Sequence, residues 1–140
     1  ESMVKYGIIS TSPEVPMHVR LLKISRDFAA LLDEYKPDAV AVEEIFYHKN
    51  AKTVISVAQS RGVILAKSAE MNMELAEYTP LQVKQAVVGY GNADKRQVQL
   101  MVQKILRLNE KPRPDDAADA LAIAICHLHS ARLGKILKGG

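Results

Sequence analysis

Apolar residues recur along this chain with two alternating spacings. Leu21, Leu22, Ile24, Phe28, Leu31 and Leu32 fall three and four apart, the period of one helix face. They predict a helix from Pro16 to about Glu34 with that set as its buried stripe. Residues 4–10 read as a short strand, broken by Thr11-Ser12-Pro13. Lys36-Pro37-Asp38 turns the chain into Ala39-Val40-Ala41-Val42. A short continuous apolar run between helices fits a central parallel strand covered on both faces. A loop at 46–50 and a helix over about 51–71 follow, with Gly62 inside it. Residues 74–78 predict another strand. Thr79-Pro80 starts a helix, threonine as N-cap and proline in its first turn, and Gly89-Tyr90-Gly91 ends it. Asn92 is expected to cap the next helix, whose stripe is Val98, Met101, Val102, Ile105 and Leu106. The order of strands and helices predicts an α/β sandwich with a largely parallel core.

The last helix breaks the pattern. From Asp115 to Ile125 it is apolar on nearly every side, yet carries Asp116 and Asp119. An all-round apolar helix belongs in a core, where a carboxylate is costly unless a cation or hydrogen bonds compensate it. Positions i and i+3 share a face, so the two aspartates can aim at one place. Two hard oxygen donors there suit a divalent cation such as Mg²⁺. The competing reading is that acids favour a helix N-terminus, with Asp115 as cap. A second acidic feature, Glu43-Glu44, ends the strand at 39–42. Functional side chains gather at the carboxyl ends of strands in such sheets. Successive strand residues face opposite sides, so one of the two can join the aspartates, and periodicity does not choose between them.

Length and composition add bounds. The chain has 140 residues, 48% hydrophobic and 25% charged, which predicts one domain spanning 1–140. No apolar run is long enough to span a membrane. Cys126 is the sole cysteine, which excludes an internal disulfide and a thiolate metal cluster and favours a reducing, cytoplasmic setting. Its expected role is small apolar filler. A net charge of +3 permits a nucleic-acid partner without requiring one. Lys95, Arg96, Lys104, Arg107, Lys111 and Arg113 crowd one stretch, and Arg132, Lys135 and Lys138 mark the tail. A solvated face explains such residues as well as a phosphate-binding surface does. A small α/β metabolic enzyme has no support, since no Gly-rich phosphate loop precedes a helix. His127 and His129 are expected to be packing or surface residues rather than ligands.

Four segments carry a resemblance. Val42-Glu43-Glu44-Ile45-Phe46-Tyr47-His48-Lys49-Asn50, then Gln59-Ser60-Arg61-Gly62-Val63-Ile64-Leu65, the run from Glu77 to Gly91, and Asp115-Asp116-Ala117-Ala118-Asp119-Ala120-Leu121-Ala122 are similar to the RuvC Holliday-junction resolvase family, in the family's order. The resemblance implies an RNase H-like fold, a mixed sheet flanked by helices. It also implies a homodimeric, Mg²⁺-dependent endonuclease (Mn²⁺ substituting) that resolves four-way DNA junctions by paired nicks in bacterial recombination and repair, beside a branch-migration helicase. Glu43 matches the family's strand-end catalytic glutamate, and Asp116 and Asp119 its helix-borne metal ligands. Lys84 and Lys95 match basic residues near the scissile strand. Phe46 stands where the family sets an aromatic against bases at the crossover. Lys49, Lys52 and Arg61 would add phosphate contacts, and the helix holding Gly62 matches the dimer helix.

The family's first two strands, with a Gly-x-Asp-Pro-Gly motif whose aspartate is a further metal ligand, have no counterpart here. No Asp-Pro dipeptide occurs. Without those strands the strand at 4–10 would lack a neighbour, a liability for a buried edge. The expectation is a fragment of a longer polypeptide, ahead of strands supplied by another chain or an inactive relative, and the chain as written should cleave poorly. A non-catalytic junction-binding module is the alternative function.

Overall fold

The computed structural model describes residues 5–44 and 51–137, leaving aside the side chains of residues 51, 52, 135 and 136. Its elements run α1 (Met17–Tyr35), β1 (Ala39–Glu43), α2 (Ala51–Glu70), β2 (Glu74–Tyr78), α3 (Pro80–Val87), α4 (Lys95–Ile105) and α5 (Asp115–Leu137). The two strands pair with each other, and at their ends the Glu44 amide donates to the Tyr78 carbonyl at 2.8 Å. The chain divides into two compact units. One holds Ala41–Glu44 and Glu77–Gly140 with the segment through Ile8, and the other holds Ile9–Val40 and Ile45–Ala76.

In the second unit α1 packs on α2. Lys36 stops α1 by entering the left-handed region at φ 45°, its amide donating to the Leu32 carbonyl, and Pro37 cannot continue the helix. The expected α1 stripe is only partly buried. Leu32 is inside, whereas Leu22 and Leu31 are exposed, because a single partner helix covers only a narrow part of the face. Gly62 meets nothing within 4 Å of where a Cβ would stand. Within this chain it needs no close neighbour.

In the first unit α3, α4 and α5 pack pairwise around Val83, Val87, Val98, Val102, Leu121 and Ile125. Thr79 and Asp94 begin α3 and α4 with matching capping boxes. Each side-chain oxygen accepts from the backbone amide three residues on, and Gln82 or Gln97 accepts from the cap residue's own amide. The cap of α4 is therefore Asp94 rather than Asn92. Only Asp94 has a glutamine three residues ahead of it to close the reciprocal pair.

Two further expectations are corrected. Residues 5–10 form no strand, and Tyr6 and Ile8 are exposed. A strand exists through its ladder, and no described segment pairs with this one. Nor is α5 buried all round. Ala117, Ala118, Leu121, Ala122, Ile125 and Cys126 are inside, while Asp116, Ala120 and Ala124 are exposed. One stripe packs on α3 and α4, and the outer apolar positions beside the aspartates, Ala120 and Ala124, are alanines, which cost little to leave in water. The aspartates therefore do not bear the desolvation that the sequence suggested.

Candidate functional site

Three carboxylates expected to act together all lie in the first unit. Glu43 is the last residue of β1 and half-buried, Asp116 is exposed in the first turn of α5, and Asp119 follows one turn later. Among the described residues Asp116 has no hydrogen-bond or ion-pair partner. Asp119 faces the Lys95 ammonium, with Nζ at 3.5 Å from its Oδ2 and 3.8 Å from Oδ2 of Asp115. Asp115 does not cap the helix. Its Oδ1 accepts from Gln99 Nε2 at 3.1 Å, tying the start of α5 to α4.

No group of three His, Cys, Asp or Glu among the described residues is arranged to hold a metal ion. The donor set nevertheless suits one. Mg²⁺ keeps most of its waters and takes one or two protein carboxylates, with substrate phosphate filling further positions. Asp116 and Asp119 supply hard oxygens on one helix face, and the Lys95 ammonium lies 3.5 Å from Asp119.

Lys95 is the first residue of α4, directly after the Asp94 cap. Lys84 lies in the last turn of α3. Arg61 is on α2, in the other unit. Phe46 and Lys49 lie outside the described residues, as does the side chain of Lys52. Of the basic stretch, Lys95, Arg96, Lys104, Arg107 and Arg113 are exposed. Sequence reasoning missed one pairing at this end of the fold. The Tyr78 hydroxyl lies 2.7 Å from His127 Nδ1, the rings tilted by 59° at a centroid distance of 5.9 Å. His127 is thus a packing partner, as expected, but the tyrosine it meets is 49 residues away, and no local pattern joins them.

The structure of Thermus thermophilus RuvC superposes with a TM-score of 0.88 at 39% identity, over 95% of this chain and 80% of that one. T. thermophilus RuvC in complex with Holliday junction substrate matches with a TM-score of 0.89 at 39% identity, over 95% and 81%. The fold is accordingly that of the RNase H-like nucleases. The family model for crossover junction endodeoxyribonuclease RuvC matches residues 1–127. A relative of that name from Syntrophomonas wolfei is 67% identical over 96% of this chain and 78% of its own length. Another, from Desulforamulus reducens, is 49% identical over 89% and 76%. The chain belongs to the RuvC family.

Proposed function

We propose that this chain is a divalent-metal-dependent endodeoxyribonuclease that cuts four-way DNA junctions during recombination and repair. Glu43, Asp116 and Asp119 are the carboxylates that hold the metal, with Mg²⁺ as the working ion and Mn²⁺ as a substitute. The observation that carries this reading is the pair Asp116 and Asp119, one turn apart on α5 with a lysine ammonium against Asp119, in a chain of the RuvC family. No observation favours the non-catalytic alternative.

The reaction is hydrolysis. A water oxygen forms a bond to phosphorus, the bond to the bridging ester oxygen breaks, and that oxygen leaves with a proton. A bound divalent ion would activate the water and offset charge on the leaving oxygen. The chain's own residues do the rest. Asp116 and Asp119 fix one side of the site on a helix held by its alanine stripe. Lys95 and Lys84, each on a helix whose start is locked by a capping box, place ammonium groups for the scissile phosphate and for charge that develops on its oxygens. Phe46 stacks on a base, while Lys49, Lys52 and Arg61 contact phosphates.

The acting species in this reading is a homodimer in the bacterial cytoplasm, working beside a branch-migration helicase. Two-fold symmetry would set two sites against opposed strands. Ile55, 69% exposed on α2, supports that helix as the dimer surface. The 140 residues act as one nuclease domain, a view supported by a family match that runs unbroken through both units. Among the described residues no helix is long and apolar enough to cross a membrane.

The test is a synthetic four-way junction incubated with the full-length protein and Mg²⁺. Nicking is expected with wild type and lost with Asp116→Asn, while junction binding persists in both. Undiminished cutting by Asp116→Asn would remove Asp116 from the site.

A further inference from the structure

Tyr78 is the last residue of β2 and is buried. Its carbonyl accepts from the amide of Glu44, immediately after Glu43, at 2.8 Å. Its hydroxyl lies 2.7 Å from Nδ1 of His127 on α5. His127 is eleven residues after Asp116, three turns with about 20° left over. The two therefore lie on the same line of the helix, about 16 Å apart along its axis, with exposed Ala120 and Ala124 between them. One residue thus touches both elements that carry the carboxylates, through its backbone on the strand side and its phenol on the helix side.

We infer that the Tyr78–His127 hydrogen bond is a positioning device that sets how Glu43 stands relative to Asp116 and Asp119. The inference rests on the reading of those three as the metal-holding carboxylates. A metal site is sensitive to such ties, because its ligands must arrive together within tenths of an ångström. The strand end and α5 are far apart in sequence, and alanines on the outer face of α5 cannot fix a register by interlocking. A directional bond between a buried phenol and an imidazole can. Either tautomer of the ring can make it: a bare Nδ1 accepts from the hydroxyl, and an Nδ1 bearing a proton donates to its oxygen.

The experiment uses full-length protein and two readouts: Mn²⁺ binding measured calorimetrically without DNA, and the Mg²⁺ concentration that half-saturates nicking. Tyr78→Phe keeps the ring and removes the hydroxyl. It is expected to weaken Mn²⁺ binding by about tenfold and raise the Mg²⁺ midpoint by a similar factor. The rate at saturating metal should recover to within about twofold of wild type, and the thermal unfolding transition should stay cooperative. His127→Asn, whose amide can replace Nδ1, should bind Mn²⁺ nearly as wild type does. His127→Leu should match Tyr78→Phe, and the double variant Tyr78→Phe/His127→Leu should be no worse than either.

A folded Tyr78→Phe protein with unchanged Mn²⁺ affinity and midpoint would overturn the inference. If that variant does not fold, equal Mn²⁺ affinities in His127→Asn and His127→Leu would do the same. Asp116→Asn separates the levels. If it abolishes Mn²⁺ binding while Tyr78→Phe changes nothing, the carboxylate reading stands and the positioning role is wrong. If Asp116→Asn binds Mn²⁺ as wild type does, both fall.

Discussion

The Lys95 ammonium stands 3.5 Å from Oδ2 of Asp119, joining the first residue of α4 to the second turn of α5. Both side chains are about half exposed, 55% and 44%, so the pair contributes under about 1 kcal/mol to stability. In the proposed nuclease site its significance is placement: a cation is held where substrate charge would arrive.

Lys95→Met should therefore separate stability from activity. The melting temperature is expected to move by no more than about 3–4 °C, because an exposed pair is lost. Nicking should fall by about a hundredfold, the scale for removing a group aimed at developing charge. Thermal melts and single-turnover junction cleavage on one preparation check both halves.

Asp94→Ala removes the acceptor that Gln97 N–H uses at 2.8 Å and opens the first turn of α4. The cost is about 1 kcal/mol, read as a lower denaturant midpoint with an unchanged slope. Because Lys95 rides on that turn, nicking should drop several-fold at temperatures where the protein stays folded. Thr79→Ala in α3 should cost a similar amount with a smaller loss of activity, since Lys84 lies at the far end of its helix.

Gly89 closes α3 at φ +101°, and a Cβ there would meet nothing within 4 Å. The cost of Gly89→Ala is then purely conformational, about 1–2 kcal/mol. Gly91→Ala differs in kind, since its Cβ would run into the side chain of Leu81. Leu81 is more than half exposed and can swing aside, so the smaller loss is expected there. Urea midpoints of the two variants test the ranking.

Burial pushes the Cys126 thiol above its ordinary pKa, with a hydrogen bond involving Ser130 opposing the shift. The native state thus holds the proton more tightly than the unfolded chain does. The associated stability is fully present below the unfolded thiol's pKa and is lost as pH rises through the folded one. As pH rises above the ordinary thiol pKa of about 8.5, wild type should lose more stability than Cys126→Ala, as paired urea titrations would show. Alkylation of the native thiol should be slow until the protein unfolds.

Much of this was legible in the sequence where local rules dominate. The strand at 74–78, the Thr79-Pro80 helix start and the α4 stripe around Val98 and Val102 formed as expected, because caps and periodicity act over a few residues. Aspartates on one face of α5, and a glutamate at the end of β1, were readable from spacing and resemblance. What escaped depended on partners distant in the chain. The 4–10 segment reads as a strand by composition but has no described ladder to join. Asn92 reads as the cap of α4, and only the reciprocal bond with Gln97 puts Asp94 in its place. The aspartate helix looked like a core element because alanine counts as apolar in any pattern, although exposed alanine costs almost nothing. Tyr78 and His127 gave no signal, being joined only by the fold.

The inner face of α5 begins with alanine: Ala117, Ala118 and Ala122 are each about 1% exposed. Alanine has no rotamers to select and loses no side-chain freedom on burial. The seam beneath Asp116 and Asp119 consequently has few alternative packings to visit, Leu121 being the one rotamer-bearing side chain buried among those alanines. Where a misplacement near 1 Å can cost about a hundredfold in rate, the proposed site would draw its accuracy from poverty of choice, on a support with little freedom to settle in a second way.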